Sequence, residues 1–290
     1  MRVSLSVTNY SWPDGPADVA GTLDQVVAAA DRGGIDTVWV ADHLLQAEPG
    51  TSVDEPMLEA YATLGYLAAR TGRVRLGTMV TGVTFRPPAL LIKAVTTIDV
   101  LSGGRAWLGV GAGYQADEAR MMGLPLPPTR DRFVALEDTV RLARHMWAGG
   151  KEPFAGRHLH LDAPIGSPAP IQRPGPPVLI GGAGEQRTLP LVARYADACN
   201  IFDIPDGGAT VRHKLAVLER LCAEVGRPYR DVEKTINSRF DPAQPVEAFV
   251  EHCAELAALG IDHVILITTG PWTGASVERL AQAVPALASH

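Results

Sequence analysis

Asp42-His43 follows a short apolar run, residues 37–41, and stands where that run gives way to a loop. An imidazole titrates near neutral pH and can deliver or take a proton beside a redox centre. The plainer alternative is a structural histidine. Asp42 then either fixes the tautomer of the imidazole or serves as a polar contact in the core. Gly181-Gly182-Ala183-Gly184-Glu185 lies between another apolar run and a helical segment. Small residues let backbone N–H groups approach an anion, and a helix start adds partial positive charge. The competing reading is a tight turn that uses glycine for positive φ. The stretch is not a Walker A loop, and Arg187 stands where a dinucleotide fingerprint would have its last glycine. Gly109-Val110-Gly111-Ala112-Gly113 either lets a ligand approach the backbone or relieves crowding in a packed sheet. His158 and His160 have no third ligand at suitable spacing, so no metal is expected. There is no HExxH, GxSxG or kinase motif.

These residues fall into a regular order. Strand-like runs are expected at 2–7, 37–41, 74–79, 105–110, 177–180, 197–202, 232–237 and 262–268. Helical segments follow them at 17–31, 54–70, 87–101, 130–147, 186–195, 209–225, 246–259 and 276–287, with a short extra helix at 117–122. Eight short apolar strands alternating with helices favour an α/β fold of the (β/α)8 TIM-barrel type over an open sheet. Residues 112–176 contain an insertion between strands 4 and 5, with His158 and His160 in a small hairpin. One barrel over residues 1–290 is expected. In such a barrel the loops after the strands form the active face. They carry Asn9 to Trp12, Asp42 to Leu44, Val80 to Arg86, Gly111 to Gln115, Gly181 to Glu185, Asp203, Ser238-Arg239 and Thr269 to Trp272. Aromatics, one imidazole, two glycine loops and few carboxylates make a poor hydrolase. They suit a large planar cofactor that carries a phosphate.

Composition narrows the classes. The 290 residues are 46% hydrophobic, which excludes global disorder, and the net charge of -6 argues against a nucleic-acid binder. Cys199, Cys222 and Cys253 form neither a disulfide framework nor a zinc knuckle and read as buried small hydrophobes. No signal peptide or membrane-length apolar run is visible, so a cytoplasmic protein with a small-molecule partner is expected.

Taken together, several stretches resemble the luciferase-like monooxygenase superfamily, in particular its actinobacterial F420-dependent branch. They are Thr37-Val38-Trp39-Val40-Ala41-Asp42-His43, Leu76-Gly77-Thr78-Met79-Val80-Thr81-Gly82 running on to Pro87-Pro88, Leu101-Ser102-Gly103-Gly104-Arg105, the two glycine stretches, and Val192 to Asn200. The resemblance implies a luciferase-like (β/α)8 barrel, with coenzyme F420 as cofactor or FMN as the alternative. It implies hydride transfer with F420, or oxygen-dependent monooxygenation with FMN. It places His43 beside the cofactor ring as proton donor or acceptor. Met79-Val80 matches a bulge that backs the ring, where relatives have a non-prolyl cis peptide. Asp42, Gly82, Thr84, Gly111 and Gly113 fall near the cofactor, and Gly181, Gly182, Ala183 and Gly184 match the phosphate loop. Trp12, Tyr114, Gln115 and Trp272 are the substrate-contact candidates. Sugar-phosphate dehydrogenases of this superfamily have a Glu after the first glycine loop. Here that position is Tyr114, which argues against a sugar-phosphate substrate. Relatives are often homodimers.

Overall fold

A computed structural model describes residues 1–287. The strands are β1 (Arg2–Val7), β2 (Thr37–Val40), β3 (Arg75–Thr78), β4 (Thr81–Gly82), β5 (Leu108–Gly111), β8 (Val178–Gly181), β9 (Ala198–Phe202), β10 (Glu233–Arg239) and β11 (His263–Ile267). A separate hairpin pairs β6 (Phe154–Ala155) with β7 (His160–Leu161). The helices are α1 (Val19–Arg32), α2 (Ala60–Arg70), α3 (Pro88–Leu101), α4 (Ala116–Met122), α5 (Thr129–Trp147), α6 (Thr188–Tyr195), α7 (Ala209–Glu224), α8 (Val246–Ala258), α9 (Gly274–Ala281) and α10 (Val284–Leu287).

The nine strands of the large sheet run in the order β3-β2-β1-β11-β10-β9-β8-β5-β4, each pair parallel. A bridge between Leu76 and Ala106 brings the two ends together, so the sheet is a nearly closed barrel with helices around it. It has eight strand positions because β3 and β4 are two halves of the third, separated at Met79-Val80.

Side chains fill the barrel rather than leaving a pore. Trp39, Trp107, Leu179, Ala198 and Ile265 form a buried cluster inside, with Met79 and Val80 packed against it. Gly77 makes room for the indoles, since a Cβ there would lie 2.7 Å from Trp39 and 2.8 Å from Trp107. Gly109 has the same kind of role, because its Cβ would lie 1.9 Å from the carbonyl oxygen of Thr78. Crowding therefore explains Gly109. All three cysteines are free and buried, as expected of small hydrophobes.

Two segments depart from the sequence expectation. The second helix begins at Ala60 rather than at residue 54. Pro56 disfavours helical geometry at Glu55, and Glu59 instead caps the helix by accepting from the Ala62 N–H. The last helix is two helices, because the ring of Pro285 clashes with the carbonyl of Ala281 in a continuous one. Among the described residues no helix is long and apolar enough to cross a membrane, and no cluster of side chains could hold a metal ion.

Candidate active site

The strands end on a cavity of about 1180 Å³. Its wall includes His43, Met79, Val80, Gly82, Gly111, Gly113, Tyr114, Gln115, Gly181 and Gly182. The Met79-Val80 peptide is cis, as the resemblance implies. The valine side chain packs against the glycines: a Cβ on Gly111 would meet Val80 at 2.9 Å, and one on Gly181 at 3.0 Å. Gly111 thus keeps space at the cavity, whereas its neighbour Gly109 serves the barrel. Thr188 starts α6 and also lines the cavity, which brings the positive end of that helix to the wall. Gly182 has a φ of +103°, a conformation that favours glycine.

His43 is held from behind. Its Nδ1 lies 2.8 Å from Oε2 of Glu118, while Oε1 of Glu118 accepts from the N–H groups of Leu44 (2.5 Å) and Leu45 (3.1 Å). Glu118 comes from α4, directly after the glycine loop, and is buried. Burial pushes its pKa up. The hydrogen bond and charge of His43 and the two backbone N–H groups outweigh that, and the net pKa is low. An ionised carboxylate only accepts, so Nδ1 carries a proton and donates it. That leaves Nε2 as the ring nitrogen without a hydrogen bond among the described residues. The ring of Tyr114 stands edge-on to the imidazole, with centroids 6.4 Å apart.

This geometry predicts the effect of Glu118→Gln. A carboxamide has one acceptor oxygen, and the Leu44 and Leu45 N–H groups take it. Its NH2 then faces Nδ1, which must accept. In ¹⁵N-labelled protein the ring proton is expected to move from Nδ1 to Nε2, and turnover to fall about 10- to 100-fold, as when an orienting partner is lost. A proton that stays on Nδ1 would overturn this assignment.

Asp42 does not orient His43. Its carboxylate is fully buried and accepts from Nη1 (2.6 Å) and Nη2 (2.9 Å) of Arg86. Arg86 also pairs with Glu59 and lies over the ring of Tyr61 at 4.5 Å. Asp42 thus makes a buried polar contact while also bordering the cavity. Trp12 and Trp272 lie apart from the cavity wall. They are 6% and 1% exposed. Trp12 Nε1 donates to the carbonyl of Trp272 (2.7 Å), and Trp272 Nε1 to that of Ser6 (3.0 Å). Their polar edges are satisfied by backbone, so both rings can sink into the core. Thr84, Ala183 and Gly184 lie on the expected loops but outside the cavity wall.

Other wall groups come from the far side. Asp203 Oδ2 accepts from Ser238 Oγ (2.5 Å) and from His252 Nε2 (2.7 Å). His252 projects from α8, an outer helix, and nothing in its local sequence marks it. Three buried polar atoms at or beside the cavity have no partner: Ser6 Oγ, Thr84 Oγ1 and Arg132 Nε. Arg132 is otherwise fixed, donating to the carbonyl of Gly113 at 2.8 Å. Burying such groups unpaired is unfavourable, so they fit a ligand that carries acceptors.

Comparisons with known proteins identify the family and the fold. The chain matches the description of the luciferase-like monooxygenases over residues 1–285. It is similar to a protein of Kineococcus radiotolerans named F420-dependent glucose-6-phosphate dehydrogenase, at 32% identity over 78% of this chain and 67% of that one. A protein of the same name from Amycolatopsis mediterranei is 30% identical over 93% of this chain and 78% of its own. In fold it resembles an F420-dependent secondary alcohol dehydrogenase solved with an F420-acetone adduct, with a TM-score of 0.82, 18% identity and 99% of each chain covered. With its barrel, its cis bulge and its glycine-walled cavity, the chain belongs to the luciferase-like monooxygenase family.

Proposed function

We propose that the protein is an oxidoreductase that moves hydride between coenzyme F420 and a small organic substrate, with His43 handling the proton. The observation that carries this reading is the glycine bed over Met79-Val80 faced by a histidine whose Nδ1 is committed to Glu118. The relatives named for F420 support the choice of cofactor.

When bound, F420 supplies the carbon that accepts or gives hydride. The chain supplies position and protons. Val80 and the glycines at 111 and 181 shape a flat bed. Ser6 and Arg132, both on the wall, offer polar atoms that lack partners within the protein. The start of α6 and the Gly181-Gly182 turn offer the positive end for a phosphate. His43 exchanges a proton with the substrate through Nε2, while Glu118 stabilises the imidazolium that results.

The substrate is not a sugar phosphate on this reading. Tyr114 is 72% exposed and occupies the rim where an acid would be needed. Glu118, the nearby carboxylate, is turned away onto His43 and two backbone N–H groups. Glucose 6-phosphate is therefore expected to leave the absorbance of F420 at 420 nm unchanged. Steady bleaching would overturn that exclusion. The cofactor itself is tested by titrating the purified protein with F420 and with FMN and following fluorescence. Tight binding of F420 and weak binding of FMN is the expected result. The reverse would move the enzyme to oxygen chemistry.

A further inference from the structure

We propose that the opposite end of the barrel carries a second binding site, for the oxyanion of a small phosphorylated or carboxylated molecule, centred on Arg75. A cavity of about 400 Å³ lies there, at the N-terminal ends of β3, β5, β8, β9 and β10. It is lined by residues that precede or begin strands, and it is closed on one side by the segment 172–177.

Arg75 is the reason to read this recess as a site. Its guanidinium lies over the indole of Trp107 at 4.3 Å, yet none of the ion pairs among the described residues includes it. Its one side-chain hydrogen bond is a long one, 3.4 Å, to Oε1 of Gln172. Burial pulls its pKa down, and Asp36 and Glu233 oppose that only from a distance. A mostly enclosed guanidinium has five N–H donors and ordinarily meets a carboxylate or several carbonyls. Arg105, one strand away, illustrates the ordinary case: it donates to the carbonyls of Ala68, Thr71, Val74 and Ser102.

Among the residues that line the recess, three arginines face two carboxylates, while Arg2, Asp36 and Asp99 act on Arg75 from farther out. Arg144 and Arg173 line the same recess. Its two carboxylates already have partners. Glu233 is held by Arg2 (2.6 Å) and His263 (2.7 Å). Asp197 accepts from the Val178 N–H (2.8 Å) and lies 3.4 Å from Arg144.

The walls are fixed before anything binds. The amide nitrogen of Gln172 donates to Asp99 (2.7 Å) and to the carbonyl of Ala106 (2.7 Å), which turns its oxygen toward Arg75. Gly175 lies flat against Trp147, where a Cβ would come within 2.6 Å of the ring. The indole in turn donates to Thr96 at 2.9 Å. A planar guanidinium fork in a rigid recess suits the two oxygens of a phosphate or carboxylate. The volume admits more than the oxyanion alone, so the ligand class is a small metabolite that carries one.

Inorganic phosphate is the probe. Calorimetric titration at constant ionic strength, with chloride as control, is expected to show saturable binding with a dissociation constant of about 1 mM or below. Arg75→Gln should weaken it about tenfold or more, since one charge-assisted bidentate contact is lost. Arg173→Gln, on the exposed rim, should weaken it by a smaller factor and decides the matter if the Arg75 variant does not fold. Acetate in place of phosphate tells a carboxylate preference from a phosphate one. Because the glycine loop at the other mouth also suits phosphate, the titration is repeated with F420 present. Binding that persists there and falls in the arginine variants supports the proposal. It is overturned by no binding beyond chloride, by equal binding in the variants, or by loss of binding on addition of F420.

Discussion

Replacing His43 with Ala is expected to slow turnover about 10²- to 10⁴-fold, the range that a positioned proton-transfer group contributes. Affinity for F420 should stay close to that of the wild type. The two effects separate because the bed and the proton are built from different parts. The bed consists of Val80, the glycines and the α6 start, and among the described residues the imidazole is hydrogen-bonded to Glu118 rather than to any of these. His43 is attached to Glu118 and stands over the cavity from β2. Single-turnover rates with a fluorescence titration on the same samples would measure both. Unchanged turnover would remove His43 from the chemistry. A collapse of affinity in step with the rate would make it a binding residue instead.

Arg86→Ala should cost about 3–5 kcal/mol of folding stability, read from the denaturant midpoint, because it strands a buried carboxylate. Asp42 has no exposed surface, and its two partners are the nitrogens of Arg86. Burial alone would lower the pKa of Arg86. Hydrogen bonds to Asp42 and Glu59 and the charge of Asp42 raise it above the ordinary arginine value instead. Adding Asp42→Asn to the Arg86→Ala background should restore part of the loss, since the amide carries no charge to strand. A loss below about 1 kcal/mol would place the pair with ordinary solvated ion pairs.

Much of this was legible before any coordinates. The alternation of β-branched runs and helical segments has one compact solution with eight strand positions, and the chain adopts it. The rim position of His43 and the glycine loops follow from the same alternation. What stayed hidden depends on the third dimension. Glu118 lies in the short helix at 117–122, where no motif in the sequence singles it out. It is buried only because the preceding glycine loop folds α4 back over the β2 loop. Trp12 and Trp272 sit at rim positions in the sequence, and only backbone carbonyls at the right distance turn them inward. His252 reaches Asp203 across 49 residues, a pairing that no local spacing encodes.

The mouth of the barrel is built unevenly, and that bears on how this enzyme could be diversified. On the β2–β5 side, Asp42 is locked to Arg86 and His43 to Glu118, so random substitution there mostly yields unfolded or inert clones. Phe202 at the end of β9 and Ile204 just beyond it are 59% and 44% exposed, and Tyr114 in the loop after β5 is 72% exposed. Substitutions at these exposed positions remove little packing. A saturation library confined to Tyr114 and Phe202, both on the cavity wall, can therefore vary what enters it while the His43–Glu118 pair is kept.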